Sequence, residues 1–181
     1  FGDRNPSACA AIGDSITVGY GDAGTPWPAR LSEKLGRPVA NYGVTGMRMG
    51  QAGGLLTRIL AGEAGYVIIA LGVNDAIDGT SPDDVKGALA AMIGRSQAAQ
   101  AVAVVGNATR MAGAREVFNP RVDAINRAIR EVCGDTGAIQ VNLHSAVPAR
   151  RLQADGLHPN SEGEEAIARA FYSALKGRQG L

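Results

Sequence analysis

Aromatic side chains are scarce in this chain, at 4% of residues with one tryptophan, Trp27. A core must then be built mainly from Ala, Val, Ile and Leu, and no clear platform for stacking sugars stands out. An excess of one charge is missing too: 18 Lys and Arg face 17 Asp and Glu, for a formal net charge of +1. No basic run exceeds two residues and aromatics are not interleaved with basic ones, so the concentrated basic face of a nucleic-acid binder is absent. The longest apolar run, Tyr66–Leu71, falls far short of the roughly 20 residues that span a bilayer, and no membrane span is expected. Cysteine is limited to Cys9 and Cys133. Neither has a C-x-x-C neighbour, which argues against structural zinc, and both read as buried thiols rather than a disulfide. With two histidines, His144 and His158, neither in a ligand-rich motif, no metal or cofactor is expected. Gly13–Gly21 is glycine-rich but has neither a P-loop nor Gly-x-Gly-x-x-Gly, so nucleotide binding is unsupported.

What remains is the composition of an ordinary folded protein. The 181 residues fit one domain over 1–181, with 45% apolar and 19% charged residues. The chain begins at Phe1, as a processed product or an excised domain would. Its compartment stays open between export after loss of an upstream leader and the cytoplasm, and oligomeric state is not legible.

Short apolar runs alternate with amphipathic stretches. Ala8–Ile12 reads as a buried strand stopped by Gly13. Trp27, Leu31 and Leu35 make a helical stripe ended by Gly36 and Pro38. Val39–Tyr42 is a second strand, and 51–60 is helical by pattern although Gly53 and Gly54 weaken its start. Tyr66–Leu71 is apolar throughout, as in a strand covered on both faces. Ser81 and Pro82 open the next helix. Ala101–Val105 is a fourth strand, and Val122, Ile125, Ile129 and Val132 stripe the helix after it. Ile139–Leu143 is the fifth strand, and 161–175 is a final helix with Ser161 as its cap. Five strands separated by helices predict an α/β fold: a flavodoxin-like three-layer α/β/α sandwich around a five-stranded parallel sheet.

Ligands of such sheets bind beyond the carboxyl ends of the strands. Four segments fall there or just before the last helix: Gly13-Asp14-Ser15, Asn41-Tyr42-Gly43-Val44-Thr45-Gly46, Gly72-Val73-Asn74-Asp75 and Asp155-Gly156-Leu157-His158-Pro159-Asn160. Gly-Asp-Ser alone is weak, expected by chance in roughly one chain in twenty of this length. All four in order are far more specific. In this they resemble the SGNH/GDSL hydrolases, a family defined by Ser, Gly, Asn and His in four successive blocks, matched here by Ser15, Gly46, Asn74 and His158. The likeness covers residues 9 to 160, and Trp27-Pro28-Ala29-Arg30-Leu31 is similar to the bacterial thioesterase and arylesterase branch.

The resemblance implies a serine esterase with Ser15 as nucleophile, His158 as base and Asp155 as its orienting carboxylate. It assigns the oxyanion hole to the backbone N–H groups of Ser15 and Gly46 and the side-chain amide of Asn74. The chemistry fits these residue types. A serine hydroxyl needs a base to take its proton, neutral imidazole is available at pH 7, and a carboxylate three residues away can fix the tautomer. Glycine at 46 would let a substrate approach the backbone without meeting a Cβ.

Each residue also has a structural use. Ser15 could cap the following helix, Gly46 could be a turn glycine, Asn74 and Asp75 an Asx-turn, and Asp155 with His158 a surface turn. His144 is a rival base, though a structural histidine suits it better. Asp14 and Asp75 read as loop braces, and Asn107-Ala108-Thr109 is a sequon of little meaning beside a strand end. Substrate contacts are expected from 46–50, 76–80 and 107–116. Within the last, Arg110 and Arg115 could meet an anionic substrate but read better as solvated. The expected partner is a small-molecule or glycan ester with a short acyl or O-acetyl group. Thioester or lysophospholipid cleavage is the runner-up. A carbohydrate-binding or scaffold module without activity is the alternative from another class.

Overall fold

A computed structural model describes residues 2–21 and 23–180; Phe1, Asp22 and Leu181 lie outside it. Five strands run through its centre: β1 (Asn5–Gly13), β2 (Val39–Gly43), β3 (Ala64–Ala70), β4 (Val102–Gly106) and β5 (Ile139–Val141). All pairings are parallel, in the order β2-β1-β3-β4-β5. This is the flavodoxin-like order, which reverses direction beside β1. The apolar strand segments are covered on both faces, and Ile12, Val67, Ile68, Ile69, Val104 and Val105 are fully buried.

The helices are α1 (Ser15–Val18), α2 (Trp27–Leu35), α3 (Gly53–Leu60), α4 (Val73–Asp78), α5 (Pro82–Ala98), α6 (Asn119–Thr136), α7 (Leu143–Ala146) and α8 (Ser161–Leu175). α2 packs with α8, while α5 packs with α3 and α6. Two helical groups on a parallel sheet follow from right-handed crossovers that leave β1 in opposite directions. Trp27 of α2 stacks on Phe171 of α8 at 4.7 Å, so the lone tryptophan is core.

Several boundaries differ from the sequence reading. β1 starts three residues earlier than Ala8, because the Asn5 N–H already donates to Glu63 O. β3 runs from Ala64 and stops at Ala70, and β4 is shifted one residue onward. β5 stops at Val141 rather than Leu143, because the Asn142 side chain accepts from Ser145 N and starts α7. The cap of α8 is Asn160, whose side chain accepts from Gly163 N, and Ser161 is the first helical residue. Met49–Gln51 forms a 3₁₀ turn before α3 begins at Gly53. Cys9 and Cys133 are free and buried. Burial pushes each thiol up to about 11, which keeps both protonated and inert at neutral pH.

α2 begins after Pro26, which offers no side-chain cap. Glu164 of α8 fills that place: its Oε2 accepts from Trp27 N at 2.6 Å, and its Oε1 has no partner among the described residues. Burial pushes this carboxyl up from 4.5 to about 8, against the pull of the Trp27 N–H and the Arg30 charge. The folded protein thus holds a proton that the unfolded chain releases near 4.5, and this contribution to stability is lost as pH rises from about 4.5 to about 8. Replacing Glu164 by Gln removes the titration. The melting temperature of Glu164→Gln, relative to wild type, should therefore be higher at about pH 9 than at about pH 5. An offset that does not change with pH would show that Glu164 does not titrate in this window.

Candidate active site

The strand register lines up Gly13, Gly43, Ala70, Gly106 and Val141 in one row across the sheet. Short loops beyond that row carry the sequence-predicted residues. Asp14, with its side chain accepting from Ile16 N at 2.9 Å, caps α1. Ser15 is therefore not the cap. As first residue of α1 its N–H has no acceptor within the helix, and its hydroxyl is turned elsewhere. Asn41 of β2 braces this turn by donating to Thr17 O at 2.7 Å.

Ser15 Oγ lies 2.8 Å from His158 Nε2, although the two residues are 143 positions apart. His158 Nδ1 lies 2.5 Å from Asp155 Oδ2. Asp155 Oδ1 accepts two more bonds, from Leu157 N and His158 N, each at 3.0 Å. One carboxylate thus fixes both the backbone and the ring of His158. Burial works to raise the Asp155 carboxyl, but these N–H donors and the His158 ring outweigh it and hold it below the usual carboxylate range. An ionised carboxylate only accepts, so Nδ1 carries the proton and the neutral ring presents Nε2 as acceptor to the Ser15 hydroxyl. Ser15 and His158 are both buried.

The loop carrying Asp155 and His158 is closed on itself and clamped from outside. Gln153 N donates to His158 O at 2.7 Å, and Leu152 pairs with Pro159 in an antiparallel bridge. Gly156 adopts φ +70°, and a Cβ there would lie 2.2 Å from Ala112 O. Only glycine suits so close an approach. Ala112 N donates to Gly156 O at 2.8 Å, and Arg115 Nε to Asp155 O at 3.1 Å. Arg115 thus braces this loop from a partly exposed position, and Arg110 is exposed.

Gly46 has φ +77°, and apart from its chain neighbours no described residue lies within 4 Å of where its Cβ would stand. The loop that holds it is fixed at both ends. Val44 N donates to Gly13 O at 2.9 Å, and Asn74 Nδ2 donates to Met47 O at 3.2 Å. That bond uses one N–H of the Asn74 amide and leaves the second without an acceptor among the described residues. Asp75 Oδ2 accepts from Met49 N at 3.0 Å, so Asp75 ties α4 to the same loop.

The remaining candidates sit apart from this line. His144 Nε2 is 3.7 Å from Asp123 Oδ1, in a polar depression beside α6, and the backbone N–H of His144 donates to Asn107 Oδ1. The Asn107 amide is buried with both ends engaged, since its Nδ2 donates to Asn142 Oδ1, which disqualifies it as a glycosylation acceptor. Asp14 is almost fully buried and its carboxyl is pushed up to about 7, first by burial and further by the charge of Asp75. No group of three or more His, Cys, Asp or Glu able to hold a metal occurs among the described residues. No described helix is long and apolar enough to cross a membrane.

Two contributors escaped the sequence reading, and Arg115 was read there in another role. Tyr20 lays its ring against His158 with 4.6 Å between centroids. Gln153 Nε2 donates to both Tyr20 O and Pro159 O, and Arg115 holds the Asp155 carbonyl. The position of Tyr20 five residues after Ser15 was the one available signal.

Residues 11–166 match the family described as GDSL-like lipase/acylhydrolase. Among solved structures, an acetylxylan esterase from Geobacillus stearothermophilus superposes with a TM-score of 0.82 at 17% identity, covering 97% of this chain and 97% of its own. An alpha/beta hydrolase enzyme from the metagenome of Lake Arreo, Spain, gives 0.81 at 21% identity, covering 94% of this chain and 95% of its own. At these identities the likeness is one of fold. No curated protein matches the chain in sequence.

Proposed function

This chain belongs to the GDSL-like lipase/acylhydrolase family, and on that premise we propose that it hydrolyses carboxylic esters of short acyl groups through an acyl-Ser15 intermediate. The observation that carries the reading is the unbroken line from Ser15 Oγ to His158 Nε2, at 2.8 Å, and from His158 Nδ1 to Asp155 Oδ2, at 2.5 Å. Nucleophile, base and orienting group stand in hydrogen-bond order, which is the geometric requirement for serine catalysis.

In the first half-reaction Ser15 Oγ bonds to the acyl carbon while its proton passes to His158 Nε2. The carbonyl oxygen takes the displaced electron pair as an oxyanion. The N–H groups of Ser15 and Gly46 and the free N–H of Asn74 supply donors for it, fixed before the substrate arrives. Collapse of the intermediate breaks the bond to the alcohol oxygen, which leaves with the proton from His158. A water then attacks the acyl carbon and gives its proton to His158. Ser15 leaves with that proton as the carboxylic acid is released. Asp155 stays ionised throughout and steadies the imidazolium.

Acetyl and other short acyl groups are favoured over long chains, and the acetylxylan esterase among the structural relatives supports that choice. The alcohol portion is a small molecule or a glycan.

Ser15→Ala should lower turnover of an acetyl ester by at least about 10³-fold and abolish covalent labelling by a fluorophosphonate. Asp155→Asn should retain labelling and lose less rate than Ser15→Ala. Normal turnover by purified Ser15→Ala would end the mechanism. For the third oxyanion donor, Asn74→Ala should reduce kcat by about 10²–10³-fold with little change in KM. A loss confined to KM would instead assign Asn74 to ground-state binding.

A further inference from the structure

Tyr20, Val18, Val44 and Val117 are the large apolar or aromatic side chains left substantially exposed among the described residues, and 55% of Tyr20 is open to solvent. Three of the four flank the candidate active site. Val18 and Tyr20 follow Ser15, and Val44 precedes Gly46. A Cβ on Gly43, next to Val44, would lie 2.6 Å from Val18 N and 3.0 Å from Val18 Cγ2, so Val18 lies against the backbone beside Val44. Tyr20 is held there by its backbone: its N–H donates to Ser15 O at 3.1 Å, and its carbonyl accepts from Gln153 Nε2 at 2.9 Å. One part of its ring covers the imidazole of His158 at 4.6 Å and 37°, and the rest faces water.

We propose that Tyr20 is the platform for the alcohol portion of the substrate, and that this alcohol is a pyranose, so that the enzyme removes acyl groups from O-acylated sugars. The inference rests on the hydrolase reading above and names its substrate class. As acid for the leaving group, His158 Nε2 must come within about 2.6–3.2 Å of the alcohol oxygen. The carbon skeleton of the leaving group therefore begins beside the imidazole, where the neighbouring aromatic surface is that of Tyr20. The oxyanion donors of Ser15, Gly46 and Asn74 engage the other oxygen of the ester.

The shape of this surface selects among alcohols. A tyrosine offers a flat apolar face with a polar tip, suited to a partner that is apolar on one side and wet on the other. A pyranose is such a partner, with C–H bonds on its faces and hydroxyls around its rim. It is also rigid, so little conformational freedom is lost on docking. A flexible fatty alcohol would lose freedom at every rotatable bond and needs enclosure to compensate. Tyr20 is more than half exposed, and Val18 and Val44 near it are exposed too, so they offer no such enclosure.

The test compares kcat/KM for a methyl glycoside carrying one O-acetyl group with that for methyl acetate, in wild type, Tyr20→Ala and Tyr20→Trp. In Tyr20→Ala the ratio of glycoside to methyl acetate should fall about 5–10-fold, mainly through KM for the glycoside. Tyr20→Trp should restore it. A ratio unchanged in Tyr20→Ala overturns the proposal, including when both rates fall together, because Tyr20 would then act only through His158. A ratio that falls equally when hexyl acetate replaces the glycoside overturns the pyranose assignment. Wild-type protein inert toward both esters would overturn the hydrolase reading itself and this inference with it. Circular dichroism and melting of each variant separate these results from a loss of fold, which an exposed position is not expected to cause.

Discussion

Parallel strands cannot be joined by tight turns, and that constraint organises the molecule. Each strand must be carried back along the outside before the next begins, so every carboxyl end emerges on the same side. Here the row Gly13, Gly43, Ala70, Gly106 and Val141 marks that side. Ser15, Gly46, Asn74 and Asn107 stand one to four residues beyond it. Their proximity follows from the pairing register, and the loops need only small offsets to aim their side chains. The reversal of strand order beside β1 opens the crevice in which Ser15 lies.

Three carboxyl groups show how differently this frame treats one kind of side chain. Asp155 has two N–H donors on one oxygen and the imidazole on the other, and it stays ionised. Asp14 and Glu164 are more deeply buried and each accepts one bond from a neighbouring N–H, so burial prevails and they titrate near 7 and 8. Donor supply and burial decide the outcome, not chemical identity. Burial thus favours the neutral forms of Asp14 and Glu164, while the donors around Asp155 favour its charged form.

Much of this was legible in the residues. Fully apolar runs such as Tyr66–Leu71 announced strands covered on both faces, and the gap between Asp155 and His158 announced a carboxylate within reach of a ring. Features set by contacts between distant segments were not. Ser161 and Asn160 are both good caps, and only the Gly163 N–H in place shows which one serves. Ile139–Leu143 has strand-like residues throughout, yet Asn142 diverts the chain after Val141. Glu164 reads as an ordinary acid in the first turn of a helix, and its bond to Trp27 spans 137 residues. Tyr20 was counted among too few aromatics to matter. Composition reports how many rings there are, whereas position beside His158 decides what one can do.

The serine and the histidine come from opposite ends of the chain, 143 residues apart. On a ribosome that separation is a delay: at about 5–20 residues per second, the serine is made on the order of ten seconds before the histidine. Throughout that interval the Ser15 hydroxyl lacks the ring that it faces in the folded chain. The pairing therefore forms only when the last segment docks, and a prematurely terminated product carries one partner without the other.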